Sequence, residues 1–278
     1  MSNHQLRRRL FQALWSPQIK PMIERLPLLR RVYSGWNRHH PFDSANGVDA
    51  SGYLAAAECA GDSPLAAQIN PYGGSQPSIV RAILASLPDS KRYAFVDIGC
   101  GKGRPLVVAS EFPYQRIVGI DLAPELIALA SENAEVIAAL HPERTPIELQ
   151  TGDATTIETP ADCVVYFMYN SFHRSLVAAL VAHLEVQLQG RLQHAFFVYY
   201  NPVHAEVFDA SPSFARWAAK TIPYASDELG FGPDIEDTLV VWQSLPARYP
   251  SQPGALRRVE VSPSQWCRLV PERTPALH

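Results

Sequence analysis

The chain has 278 residues, 47% of them apolar, and a net charge of -3. That is enough apolar material for a sizeable core and too much for a disordered chain. No apolar run reaches the ~18 residues a membrane span requires, and the opening Met-Ser-Asn-His lacks the apolar block of a secretory signal, so a soluble protein is expected. The four cysteines, Cys59, Cys100, Cys163 and Cys267, are far apart and form no CxxC pair. This argues against a zinc cage or a disulfide framework and fits a reducing, cytoplasmic compartment.

The charge is unevenly spread. Residues 1–40 hold Arg7, Arg8, Arg9, Lys20, Arg25, Arg30, Arg31 and Arg38 against a single acid, Glu24. The rest of the chain is acidic. A basic head on an acidic body suits either a helical arm docked on that body or an anionic partner such as nucleic acid, lipid headgroups or an acidic substrate. Nucleic acid has no motif to support it: there is no RNA-recognition signature, aromatic-basic platform or zinc-finger spacing.

In chain order, residues 1–75 read as a basic N-terminal helical extension. Its first 45 residues are short helices cut by Pro17, Pro21 and Pro27, with Leu10, Phe11, Leu14 and Trp15 at helical spacing. An alanine-rich stretch from Tyr53 to Cys59 follows, and Asn70-Pro71-Tyr72-Gly73-Gly74 signals a turn before a helix at Gln76–Leu87. From there strands and helices alternate. Strands are expected at Tyr93–Ile98, Arg116–Ile120, Ile147–Gln150, Cys163–Met168 and Ala195–Tyr200. Helices are expected at Arg104–Phe112, Pro124–Leu140 and Phe172–Leu188. Continuous apolar strands in this order predict an α/β fold with a doubly wound, mostly parallel sheet covered on both faces. Trp217–Ile222 and Thr238–Trp242 read as a late edge hairpin, which closes the main domain at about residue 245. The remainder, 246–278, is a Pro/Arg-rich tail.

The first strand runs into a glycine loop, Asp97-Ile98-Gly99-Cys100-Gly101-Lys102-Gly103-Arg104-Pro105. Glycines there let the backbone turn sharply, with no Cβ between it and a ligand, at the carboxyl end of a strand. The dinucleotide pattern G-x-G-x-x-G/A fails because Arg104 stands where its last small residue belongs, and the P-loop pattern is absent. This argues against a nicotinamide-dependent oxidoreductase. Two further acids stand at strand ends: Asp121, after Val118-Gly119-Ile120, and Asp153, after Thr151-Gly152. A carboxylate at such a tip can accept hydrogen bonds from both hydroxyls of a ribose.

The D-x-G-x-G-x-G run resembles motif I of class I S-adenosylmethionine-dependent methyltransferases. The resemblance covers about residues 90–202, more loosely to 245. It implies a Rossmann-like sheet of seven strands ending in an antiparallel hairpin, with S-adenosylmethionine as cofactor. It also implies roles: Asp97, Gly99, Gly101 and Gly103 around the methionine part, Asp121 on the ribose, Asp153 on the adenine amino group. No metal site is expected. The fourth strand ends in Tyr166-Phe167-Met168-Tyr169-Asn170-Ser171-Phe172-His173. In the family this stretch is motif IV, facing the transferring methyl. Ser171 stands where amino-methylating members carry proline, which speaks against nucleic-acid amino methylation. The run resembles more closely bacterial members with a Tyr-Asn-Pro-Phe-like motif, as does Tyr199-Tyr200-Asn201-Pro202.

Methyl transfer requires an aligned nucleophile and a dry site, and a base only if the nucleophile is protonated. The catalytic candidates are therefore Asn170, to orient an amine or hydroxyl, Tyr169, to line the pocket, and His173, as a base near neutrality. Tyr72 is the candidate to close over the cofactor. The expected activity is methyl transfer to a small-molecule or protein acceptor. The alternative is an inactive module of the same fold that binds RNA or a membrane surface through its basic head.

Overall fold

The computed structural model describes residues 38–60, 63–232 and 234–245. The helices expected around Leu10 and Trp15 and the tail from Pro246 onward lie outside the described residues. A short helix α1, Pro41–Asn46, opens the described chain. The two-residue strands β1, Tyr53–Leu54, and β2, Tyr72–Gly73, pair antiparallel around a short helix α2, Ala56–Ala60. Helix α3, Pro77–Leu84, then leads into the sheet.

The sheet strands are β3, Ala94–Ile98; β4, Ile117–Asp121; β5, Ile147–Thr151; β6, Cys163–Tyr169; β7, His194–Tyr200; β8, Phe214–Pro223; and β9, Glu236–Ser244. They stand in the order β5-β4-β3-β6-β7-β9-β8. The first five are parallel, and β9 runs antiparallel to both β7 and β8. This is the expected seven-stranded, mostly parallel sheet with an antiparallel C-terminal pair. The late strands are longer than their apolar centres suggested, because β8 is an edge strand whose polar ends need only one partner.

Parallel strands need crossover helices, and these are α4, Arg104–Ala109; α5, Pro124–Leu140; and α6, Arg174–Gln189. A five-residue helix α7, Ala205–Asp209, follows β7. Side chains alternate across the strands, and both faces are covered. Val96, Tyr166, Phe197, Tyr199 and Trp242 pack on the face under Leu176, Leu180 and Leu184 of α6. Phe95, Phe167, Val198, Tyr200 and Val241 pack on the face under Ile79, Ile83 and Leu84 of α3 and Leu106 and Val108 of α4. Helix α5 buries Leu126, Ala130, Asn133 and Ile137, a single stripe at helical spacing. Two helices are shorter than expected. Backbone bonds from Ser86 and Leu87 to carbonyls three residues earlier tighten the end of α3, and those of Glu111 and Phe112 do the same after α4. Among the described residues no helix is long and apolar enough to cross a membrane.

The chain leaves β3 toward β4 and β5 on one side, then returns to lay β6 and β7 on the other. The gap between the carboxyl ends of β3 and β6 is thus a topological switch point, where an open parallel sheet leaves a crevice.

Candidate active site

A pocket occupies that crevice, with about 840 Å³ of free space when the solvent at its open mouth is included. Its wall includes Asp97 and Gly99 from β3 and its loop, Asp121 from β4, Gly152 and Asp153 after β5, and Tyr169 and Ser171 at the end of β6. Residues separated by up to 74 positions in sequence meet here because parallel strands deliver all their carboxyl ends to one edge.

The loop geometry follows from its glycines. Gly99, Gly101 and Gly103 have φ of 71°, 55° and 82°, a left-handed region that other residues reach only with strain. Space is the second constraint. A Cβ on Gly99 would lie 2.6 Å from Ser171 Oγ, and one on Gly101 would lie 2.3 Å from the ring of Tyr72. The loop is tied to β4: Gly99 N and Cys100 N donate to the Ile120 carbonyl at 2.9 and 3.0 Å, and Gly101 N donates to Asp121 Oδ2 at 2.8 Å.

Asp121 Oδ1 accepts from Ala123 N at 3.0 Å. The carboxylate therefore holds the loop and its own strand end while each oxygen keeps a lone pair. Burial pushes its pKa up, opposed by these backbone bonds. Asp97 is more extreme. It is 1% exposed, and its Oδ2 has no hydrogen-bond partner among the described residues. Burial first, and the nearby Asp121 second, hold its carboxyl well above the ordinary carboxylate range. A buried acid without a partner is costly unless something meets it, which a cationic ligand in this pocket would do. Asp153 caps the 3₁₀ turn Ala154–Thr156, its Oδ1 accepting from Thr155 N and Thr155 Oγ1 at 2.8 and 2.7 Å.

The expected catalytic residues are placed differently from one another. Tyr169 lines the pocket, with its ring 4.4 Å from that of Tyr200. Asn170 is buried, has φ 41°, and is not in the pocket wall; its Oδ1 accepts from the Tyr199 hydroxyl at 3.3 Å. His173 is the N-cap residue of α6 and also stands outside the wall. Ser171 donates its hydroxyl to the Ile98 carbonyl at 3.1 Å and so ties the end of β6 to the end of β3.

Segment 38–75 supplies much of the pocket that the motifs do not reveal. It adds Cys59, Leu65, Ile69, Asn70 and Pro71, then Tyr72 through Ser75. Two sets of contacts hold it in place. Asn70 N donates to the Ser171 carbonyl at 2.9 Å, Asn70 Nδ2 donates to the Asn170 carbonyl at 2.6 Å, and His173 N donates to the Gln68 carbonyl at 2.8 Å. At the other end Arg104 and Asp43, 3% and 0% exposed, form a buried ion pair with Nη2–Oδ2 at 3.0 Å. Arg104 Nη1 also donates to the Ser75 carbonyl at 3.1 Å, and Asp43 Oδ2 accepts from Ala50 N and Ser51 Oγ. His40 packs beside this pair. Its Nδ1 accepts from Phe42 N, and burial followed by the Arg104 charge lowers its pKa to about 4. Tyr72 reaches over Gly101 and donates its hydroxyl to the Ala50 carbonyl at 2.6 Å. The one local hint of all this was Arg104 itself, a long cation at the start of an apolar helix, which needs an acid from somewhere.

Residues 95–188 match a family model described as a methyltransferase domain. Among solved structures the chain is similar to TrmN from Thermus thermophilus (16% identity, TM-score 0.43, covering 61% of this chain and 49% of that one). It is similar also to the magnesium protoporphyrin IX methyltransferase ChlM from Synechocystis PCC 6803, solved with bound SAM (13%, 0.45, 60% and 77%). A third similar structure is an RNA methyltransferase from Salinibacter ruber in complex with S-adenosyl-L-homocysteine (20%, 0.40, 64% and 97%). The chain spans about half the length of the Thermus protein. No curated protein sequence matches it. Over residues 95–188, which hold the glycine loop and the three strand-end acids, the chain is thus similar to a methyltransferase domain.

Proposed function

We propose that this domain binds S-adenosylmethionine in the crevice between β3 and β6 and catalyses methyl transfer to a small-molecule or protein acceptor. The observation that carries the reading is the meeting of Asp97, Asp121 and Asp153, from the ends of three successive parallel strands, with one glycine loop around one pocket. In this reading Asp97 accepts from the cofactor's ammonium, which answers its unpartnered Oδ2. Asp121 accepts from the ribose hydroxyls with its remaining lone pairs, and Asp153 Oδ2 accepts from the adenine amino group. Leu122, Leu126, Ala154 and Phe172 form the apolar part of the same wall, suited to an aromatic base.

When bound, the cofactor supplies a methyl group on a sulfonium, taken by an acceptor lone pair in an in-line displacement. The protein's part is to hold the acceptor on that line and to exclude water. Tyr169 forms the wall on that side, and its π-face tolerates a cationic donor. Asn170 sets the left-handed turn that presents Tyr169 and Ser171 on the pocket wall, and His173, which stands outside that wall, is given no proton-transfer role. The fold does not choose the acceptor, because function resides in the site.

The test uses tritiated methyl S-adenosylmethionine with extract fractions sorted into small molecules, proteins and nucleic acids. Wild-type protein is expected to move label into a small-molecule or protein fraction. Asp121→Ala, by losing ribose bonds worth about 1–3 kcal/mol, should need roughly 10–100 times more cofactor for the same rate. Label appearing equally with both proteins, or with neither, contradicts the proposal.

A further inference from the structure

Segment 38–75 lies outside the matched family model, yet it closes one side of the pocket. One residue on it has no structural reason for its side chain. Ser75 lines the pocket and is 2% exposed, and its Oγ has no hydrogen-bond partner among the described residues. A buried hydroxyl with no protein partner for its hydrogen bond is a net cost to the fold unless a ligand or solvent meets it. Its backbone, by contrast, is held firmly. The Ser75 carbonyl accepts from Arg104 Nη1, and Gly74 beside it is a glycine of necessity, since a Cβ there would lie 2.2 Å from that same nitrogen. The ion pair with Asp43 fixes the guanidinium in turn. An unmet donor is thus fixed at the pocket wall by a buried clamp.

We infer that Ser75 is a cofactor-binding residue, its hydroxyl donating to the carboxylate at the amino-acid end of the cofactor. This rests on the reading of the pocket as a S-adenosylmethionine site. Asp97 Oδ2 and Ser75 Oγ are both buried without a hydrogen-bond partner among the described residues, and both residues line this pocket. One is an acid that suits an ammonium. The other is a neutral donor on a wall shared with Arg104, which suits the carboxylate. A ligand carrying both charges on one carbon answers both. Asp43, Gly74 and Arg104 are positioning residues for Ser75.

The test compares two ligands on wild type and Ser75→Ala. S-adenosylhomocysteine carries the amino-acid end; 5′-methylthioadenosine keeps adenine, ribose and sulfur but lacks it. The proposal expects the variant to bind S-adenosylhomocysteine about tenfold to a hundredfold more weakly, as loss of a hydrogen bond to a charged group does, and 5′-methylthioadenosine unchanged. It also expects the ligand-free variant to melt no lower than wild type, because an unmet hydroxyl has been removed. Equal weakening for both ligands, or weakening for neither, overturns the assignment, as does a lower ligand-free melting temperature, which would give the hydroxyl a role in the fold. If wild type itself binds no S-adenosylhomocysteine, the reading of the pocket fails and this proposal with it, an outcome visible before any variant is made.

Discussion

Asp97 shows how one residue couples fold, electrostatics and ligand. It closes the central strand, beside Phe167 of β6 and Gly119 of β4, where water is excluded. Its pKa is raised by burial and by Asp121, so its contribution to stability is fully present below the carboxylate range of the unfolded chain and is lost as pH rises through the folded value. An ammonium against the carboxylate favours the ionised form, so below that folded value ligand binding must expel a proton. Affinity for S-adenosylhomocysteine should therefore rise with pH until Asp97 ionises without help, then level off. Proton release should show as a dependence of the binding enthalpy on the buffer's heat of ionisation. Asp97→Asn should bind weakly with a flat profile; a flat profile in the wild type would contradict the account. That Asp97, Asp121 and Asp153 stand at strand ends was legible, because residue type and interval sufficed, while their roles were implied only by the resemblance. Ser75 and Asp43 were not, because their meaning lies in partners or a pocket far along the chain: Arg104 is 61 positions from Asp43.

At the scale of elements, the segment from α1 to β2 is bolted to the glycine loop. Besides the Asp43–Arg104 pair, Asn133 of α5 donates to the carbonyls of Asp49 and Lys102, both at 2.9 Å, and accepts from Asp49 N at 2.7 Å. Lys102 Nζ donates to the Ser51 carbonyl at 2.7 Å. Removing one partner of a buried pair leaves a bare charge, so Asp43→Ala should lose on the order of 3–5 kcal/mol in urea unfolding. It should also weaken S-adenosylhomocysteine binding, because Arg104 no longer holds Ser75. A loss under about 1 kcal/mol would mean that the clamp contributes little. Sequence patterning located every strand of the main sheet and its crossover helices, since a buried parallel strand is a continuous apolar run. It passed over β1 and β2, two residues each, which carry no period to detect. Their pairing is set by neighbours, as is the link of residues 68–70 to the end of β6.

At the scale of the molecule, the strand order creates the site. Two parallel strands on one side of β3 and two on the other open the crevice, and the antiparallel return of β9 completes the second face without adding to the pocket wall. The expected division at residues 75 and 76 follows composition, while the contacts join the two sides closely. A segment that reads as an extension serves as one wall of the candidate cofactor site.

The most direct measurement is calorimetric titration of the full chain with S-adenosylmethionine, S-adenosylhomocysteine and NAD in parallel. The account predicts binding of the first two at micromolar concentration, on the order of -8 kcal/mol, and none of NAD. Binding of NAD alone, or of none of the three, would contradict it.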